Sequence, residues 1–238
     1  MRPAPIQVHW VGYPGTLAAP FIDYLMVDKI VVPDAHRADY AEALVWLPNC
    51  YQPNDRSRSP SALASRESLG LADADVVFAG FNAGWKLNAE VFDAWERILA
   101  ATPRSILWLL ARDDRDPMTD NLRREWASHG IAAERIVFTT RRAEPDYLAL
   151  FGAADIFLDT WPYNAHTTAS DALWMGCPVV TRLGETFAGR VGASLLDAVG
   201  LPELVADTTD DYVSLAIALS ADPARRALLR AKLSRARA

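Results

Sequence analysis

A chain of 238 residues, 51% apolar and free of low-complexity tracts, holds enough material for one large domain or a domain and a half and is not a disordered tail. Its net charge of −6 gives no electrostatic case for nucleic acid or an anionic membrane. No apolar run approaches the ~20 residues of a membrane span. The N-terminal Met-Arg-Pro-Ala-Pro-Ile-Gln lacks a signal-peptide core, and Cys50 and Cys177 have neither metal-ligand spacing nor a disulfide framework, so a cytoplasmic, reducing setting is expected.

In chain order, residues 6–11 read as a strand, broken by Gly12-Tyr13-Pro14-Gly15-Thr16. A short strand at 24–27, a helix near 38–43 and a strand near 44–47 follow. Residues 52–60, Gln-Pro-Asn-Asp-Arg-Ser-Arg-Ser-Pro, carry no hydrophobic period and read as an interdomain linker. Beyond it, apolar runs and helical patterns alternate. Strands are expected at 76–80, 105–110, 135–139, 156–158 and 179–181. Helices are expected at 88–101 (Asn88 as N-cap), 118–129, 146–152, 166–175, 187–199, 211–220 and 223–235. Such alternation specifies an α/β fold: a doubly wound parallel sheet with right-handed crossovers and helices on both faces.

Ligands of such sheets bind at the carboxyl ends of the strands. Three loops there carry candidate chemistry: 81–86, ending in Lys86; 140–145; and 160–166, ending in His166 just ahead of Thr167-Thr168. A polar loop between a strand and a helix puts free N–H groups and hydroxyls at a helix N-terminus, where phosphate binds. Asp171, one turn after the threonine pair, could take ribose hydroxyls. Spacing alone leaves open an ordinary threonine-capped helix, a solvated aspartate, a surface lysine and a structural histidine. Together the three loops point to a nucleotide-diphosphate site.

Four stretches carry a resemblance to a known family: Arg2-Pro3-Ala4-Pro5-Ile6-Gln7 with Gly12-Tyr13-Pro14-Gly15-Thr16; Phe81-Asn82 with Lys86; Leu158-Asp159-Thr160 with Asn164, His166-Thr167-Thr168 and Asp171; and Gly184-Glu185-Thr186 with Arg190. In order and spacing they resemble the catalytic region of the O-linked N-acetylglucosamine transferase / SPINDLY family of GT-B glycosyltransferases. The resemblance implies that Lys86 is catalytic, contacting the donor diphosphate and stabilising the leaving group. It implies that Thr167 and Thr168 cradle the β-phosphate, that His166 lies beside the nucleoside, that Asp171 binds ribose and that Gly12 lines the sugar side of the pocket. No metal or other cofactor is implied, since a helix N-terminus plus a lysine can hold the departing diphosphate.

The chain also departs from the animal members of the family. Ala83 replaces a glutamine, and Glu144, Tyr147 and Leu150 stand where a lysine, a histidine and an arginine are found. Tyr147 could stack on a pyrimidine. The implied partners are a UDP-sugar donor and a protein acceptor, with no nucleic acid and no membrane. Family members place tetratricopeptide repeats and an N-terminal lobe with a catalytic histidine ahead of the matched region. The resemblance therefore implies a fragment: residues 1–52 as the tail of the N-terminal lobe, 53–66 as linker and 67–238 as the C-terminal nucleotide-sugar-binding lobe. It would come from an inverting transferase moving N-acetylglucosamine from UDP-GlcNAc to protein Ser/Thr hydroxyls and have little activity alone. Protein O-fucosylation from GDP-fucose, or nucleotide-sugar binding without catalysis, are the alternatives.

Overall fold

The computed structural model describes residues 2–71, 76–113 and 115–237. Among these residues there are two parallel sheets. The first, in the order β1 (Val8–His9), β2 (Tyr24–Val27), β3 (Ala43–Trp46), lies entirely before the linker. The second is built from β4 (Val76–Gly80), β5 (Ser105–Ala111), β6 (Ile136–Thr140), β7 (Ile156–Leu158), β8 (Val179–Arg182) and β9 (Val205–Ala206). Its order is β6-β5-β4-β7-β8-β9. The chain starts at the centre, winds outward through β5 and β6, then returns to β7 and winds the other way. The reversal between β4 and β7 opens a crevice at their carboxyl ends, the usual ligand position in such sheets.

Residues 76–80 are apolar or glycine and all buried, as a parallel strand covered on both faces requires. On one face lies α1 (Ala89–Ala101), which buries Val91, Ala94, Trp95, Ile98 and Leu99 at helical spacing. Its N-cap is Asn88, whose side chain accepts from the Val91 amide at 3.1 Å. A Cβ on Gly80 would lie 2.7 Å from the Trp95 ring, so helix and strand approach this closely only with glycine there. The remaining helices are α2 (Pro117–Ser128), α3 (Glu144–Leu150), α4 (Thr167–Trp174), α5 (Val191–Ala198), α6 (Thr209–Ala221) and α7 (Pro223–Arg237). Trp95 Nε1 donates to the Tyr212 hydroxyl (3.1 Å), which donates to the Asp159 carbonyl (2.9 Å), joining α1, α6 and the end of β7 through one buried chain.

The first sheet is anchored to the second through Asp28, which is buried. Its Oδ1 accepts from the amides of Ile30 and Val31, and its Oδ2 from the amide of Tyr51 and the hydroxyl of Ser194 on α5. Arg190 Nε donates to the Ile30 carbonyl at 2.6 Å, and Tyr51 packs edge-on against Phe187.

Several elements differ from the sequence expectation. The helix expected near 38–43 is a 3-10 turn, Asp34–Asp39, and Ala43 is already paired with Tyr24. Buried Glu42, which accepts from the Thr16 hydroxyl and the Leu17 amide, ties the chain to the 13–17 loop just before that strand. The strand expected over 6–11 shortens to Val8–His9 because Val11 (φ 55°) and Gly12 (φ 93°) leave the extended region. The helix expected over 187–199 divides into the 3-10 turn Phe187–Gly189, capped by the Thr186 side chain, and α5. α3 begins two residues early, with Pro145 in its first turn. β9 was not expected; two residues carry no alternation to read.

Candidate functional site

The crevice at the sheet reversal is walled on one side by the loop after β7, residues 159–166. That loop is built around Asp159, a fully buried carboxylate. Oδ1 accepts from the amides of Thr160 (2.8 Å) and Ala165 (2.6 Å), and Oδ2 from the Thr181 hydroxyl (2.6 Å). Burial pushes its acid up to about 6, against the opposing pull of these hydrogen bonds and of the Lys86 charge. A Cβ on Gly192 would stand 2.6 Å from Asp159 Oδ2 and 2.5 Å from Thr181 Oγ1, so the start of α5 must be glycine to close over this carboxylate. Asn164 completes the loop: Nδ2 donates to the Thr160 carbonyl, and Oδ1 accepts from the Gly192 amide.

The loop delivers His166 as N-cap residue of α4, with Thr167 and Thr168 as its first two residues. No side chain caps the helix, so the threonine-capped alternative does not hold. First-turn N–H groups have no intrahelical acceptor and concentrate the positive end of the helix dipole. His166 stacks on Tyr163 at 4.8 Å between centroids, and its Nε2 sits 3.1 Å from the Ala188 carbonyl. A carbonyl only accepts, so Nε2 carries the proton. Burial lowers the imidazole to about 4, with the Lys86 charge acting in the same direction, so at neutral pH the ring is uncharged and its Nδ1 is an acceptor.

Lys86 reaches this loop from the other wall, the β4–α1 connection. Its Nζ donates to the Asn164 carbonyl at 2.7 Å and lies 4.5 Å from the centre of the Tyr163 ring. Burial lowers its pKa, with buried Asp159 opposing. A half-desolvated ammonium with a carbonyl and a ring face for partners can gain from an arriving anion.

Gly12, His166 and Thr167 line one cleft of about 410 Å³, shared with Tyr13, Tyr51 and Asn54. The two sheets thus contribute facing walls. Tyr147, Thr168 and Asp171 continue around the N-termini of α3 and α4. The Tyr147 ring packs on Phe81 and Phe151, and its hydroxyl meets the Thr168 side chain. Asp171 is not solvated: its Oδ1 accepts from the Arg58 guanidinium at 2.7 Å. Leu150 is core, and Glu144 is exposed and paired with Arg58 at 3.4 Å.

Sequence reading named Asp159 within a motif without giving it a role, and gave none to Arg58. The first had a signal, an acid closing an apolar strand; the second, inside a featureless polar stretch, had none. A larger cleft of about 760 Å³ lies farther along the same edge, lined among others by Asn88, Trp161, Arg182, Gly184 and Arg190.

Residues 1–59 and 53–238 match the model of Glycosyl transferase family 41. An Arabidopsis thaliana protein named as a probable UDP-N-acetylglucosamine–peptide N-acetylglucosaminyltransferase SEC is 37% identical over 229 residues, which are 92% of this chain and 23% of the relative. A Petunia hybrida protein with the same enzyme name and the designation SPINDLY is 37% identical over 240 residues, 98% of this chain and 25% of the relative. This chain therefore spans about a quarter of the length of these relatives. A mutant of the Thermobaculum terrenum O-GlcNAc transferase superposes with a TM-score of 0.88 at 38% identity, covering 99% of this chain and 44% of that one. The architecture is α/β, of the GT-B type, and the chain belongs to glycosyl transferase family 41.

Proposed function

We propose that the chain forms the donor-binding side of an inverting glycosyltransferase that moves N-acetylglucosamine from UDP-GlcNAc to Ser or Thr hydroxyls of proteins. The observation that carries this is the contact of Lys86, across the crevice between β4 and β7, with the loop that runs into the uncapped N-terminus of α4. The names of the relatives supply the sugar and the peptide acceptor.

In this reading the acceptor hydroxyl gives up its proton to a phosphate oxygen of the donor, and its oxygen forms its bond to the sugar C1 on the face opposite the breaking C1–O bond. The electron pair of that bond leaves with the diphosphate. Lys86 turns its ammonium from the Asn164 carbonyl to the departing phosphate, and the amides of Thr167 and Thr168 meet the growing charge without any metal. His166, uncharged and with its acid form held near 4, is a poor general base and serves as a hydrogen-bond acceptor toward the bound nucleotide. Gly12 and Tyr13 close the cleft from the other sheet. Tyr147 and Asp171 define the nucleoside end.

Calorimetric titration of the chain with UDP, UDP-GlcNAc and GDP in EDTA tests the reading. Binding of both uridine nucleotides, stronger than that of GDP, is expected. Absence of uridine nucleotide binding would overturn the reading, and a preference for GDP would favour a guanine-nucleotide sugar as donor.

A further inference from the structure

Residues 53–66 form no regular element, yet Arg58 within them is held at five points. Its guanidinium donates to Asp171 Oδ1 (2.7 Å), to Asn54 Oδ1 (2.7 Å), to Glu144 (3.4 Å) and to the Asp55 carbonyl (3.4 Å). Its own carbonyl accepts from Trp174 Nε1 at 3.3 Å. Asp171 and Trp174 are one turn apart on α4, so that helix grips Arg58 by side chain and backbone at once. Ser61 N donates to the Pro145 carbonyl (3.0 Å), fixing the segment to α3 as well. Asn54, the other partner of the guanidinium, lines the cleft with Gly12, His166 and Thr167. One arginine thus connects the cleft wall to Asp171.

We infer that Arg58 is a positioning residue of the donor site, holding the Asp171 carboxylate ionised and aimed so that its second oxygen accepts a ribose hydroxyl. This rests on the donor-site reading above. The side chains of Arg58 and Asp171 are 13% and 8% exposed. A carboxylate so removed from water keeps its charge only beside a fixed cation. Burial pushes the Asp171 acid upward and the Arg58 pair opposes that push. Among the described residues Oδ1 is taken by Arg58, and no hydrogen bond is made to Oδ2. Arg58 would have little left to offer a ligand itself, with its guanidinium spread over four acceptors. Its influence passes through Asp171.

The readout is hydroxyl discrimination, which a merely structural role would not move: the affinity for UDP divided by that for 2′,3′-dideoxy-UDP, measured by calorimetry on the 238-residue chain. A ratio of about ten or more is expected for the wild type, one charge-assisted hydrogen bond being worth at least that. Arg58→Ala and Asp171→Asn should each bring the ratio to within about twofold of one, and the double variant should bring it no lower. Arg58→Gln serves if Arg58→Ala does not fold, judged by the same ratio. A variant at Arg58 that weakens both nucleotides equally, or that tightens UDP, would overturn the inference, as would a wild type that ignores the hydroxyls. A wild type that binds neither UDP nor UDP-GlcNAc fails the donor-site reading itself; one that binds UDP and loses no discrimination on Arg58→Ala fails this inference alone.

Discussion

The two sheets share parallel strands and differ in what covers them. In the six-stranded sheet helices pack on both faces, and Trp95, Trp108, Trp126, Tyr212, Phe78 and Phe157 are fully buried. Each such side chain contributes roughly 1.5–3 kcal/mol. In the three-stranded sheet Val8, Tyr24 and Val45 are exposed on the strands, and Trp10, Val11, Tyr13 and Phe21 on the adjoining loop. Parallel pairing therefore does not bring burial with it; burial depends on what the crossovers contain. Between the strands of the first sheet they hold irregular loops and one 3-10 turn, whereas most of those in the second carry amphipathic α-helices. The first sheet accordingly joins the common core through a few side chains, Leu25, Val27, Val31, Val32 and Tyr51, and is tied down further by the polar anchors Asp28 and Arg190, whereas the second sheet carries most of that core. The cleft sits where these two regimes meet.

The largest expected effect tests the better-covered region at Asp159, a carboxylate with no exposure to solvent. Asp159→Ala strands two amides and a hydroxyl inside the protein, each costing roughly 1–3 kcal/mol when left unpaired. A loss of roughly 3–5 kcal/mol in urea unfolding, followed by tryptophan fluorescence, is expected. A loss under about 1 kcal/mol would mean the loop after β7 is held by something else. Asp28→Ala strands three amides and a hydroxyl, but should cost less, roughly 2–3 kcal/mol. There the first sheet can lift away and give its donors to water, so the loss is capped at the docking free energy. Hydrogen exchange separates the two cases. Asp28→Ala should strip protection from Tyr24–Val27 and Ala43–Trp46 while Val76–Gly80 stays protected; equal losses in both sheets would erase the distinction between them.

The same contrast governs what could be read from sequence. In the second sheet nearly every element was legible, because covered parallel strands are unbroken apolar runs and Asn88, Gly130 and Gly176 punctuate the helices between them. The first sheet was legible only at β2 and β3. The turn at 34–39 and the shortened β1 are set by Glu42, Thr16 and a left-handed Gly12, none of which leaves a periodic trace. At the site, local patterns were visible: a strand, a polar loop and a threonine pair opening a helix. What joins them was not. Thr181 lies 22 residues from Asp159, and Arg58 lies 113 residues from the aspartate it holds. A hydrogen bond across that separation depends on topology, which comes after pattern.

Lys86→Ala probes the crevice between β4 and β7, inside the second region. It should weaken UDP binding by roughly 1.5–3 kcal/mol, about ten- to a hundredfold, through loss of a charge-assisted hydrogen bond. Thr168→Val should cost less, since the backbone amide remains. Titration calorimetry of both variants decides it; an unchanged affinity for Lys86→Ala would place the diphosphate elsewhere.

The smallest expected effect comes from two buried groups of the same loop that titrate in opposite senses. His166 falls from 6.5 in the unfolded chain to about 4 in the fold. Between those values the unfolded state binds more protons, so this residue makes stability rise with pH, complete above about 6.5 and lost toward 4. Asp159 rises from 3.8 to about 6, so over that window the folded state binds more protons and stability falls as pH rises. The two slopes offset one another across pH 4–6, leaving the wild type flatter than either alone would make it. His166→Phe keeps an aromatic ring against Tyr163 and removes only one of the two slopes. The stability difference between wild type and variant should then shrink by about 1–2 kcal/mol, in the wild type's disfavour, from pH 7 to pH 4.5. Urea titrations at both pH values measure it. A difference independent of pH would mean that the imidazole is solvated and titrates normally, and that the α4 N-terminus does not face a neutral histidine.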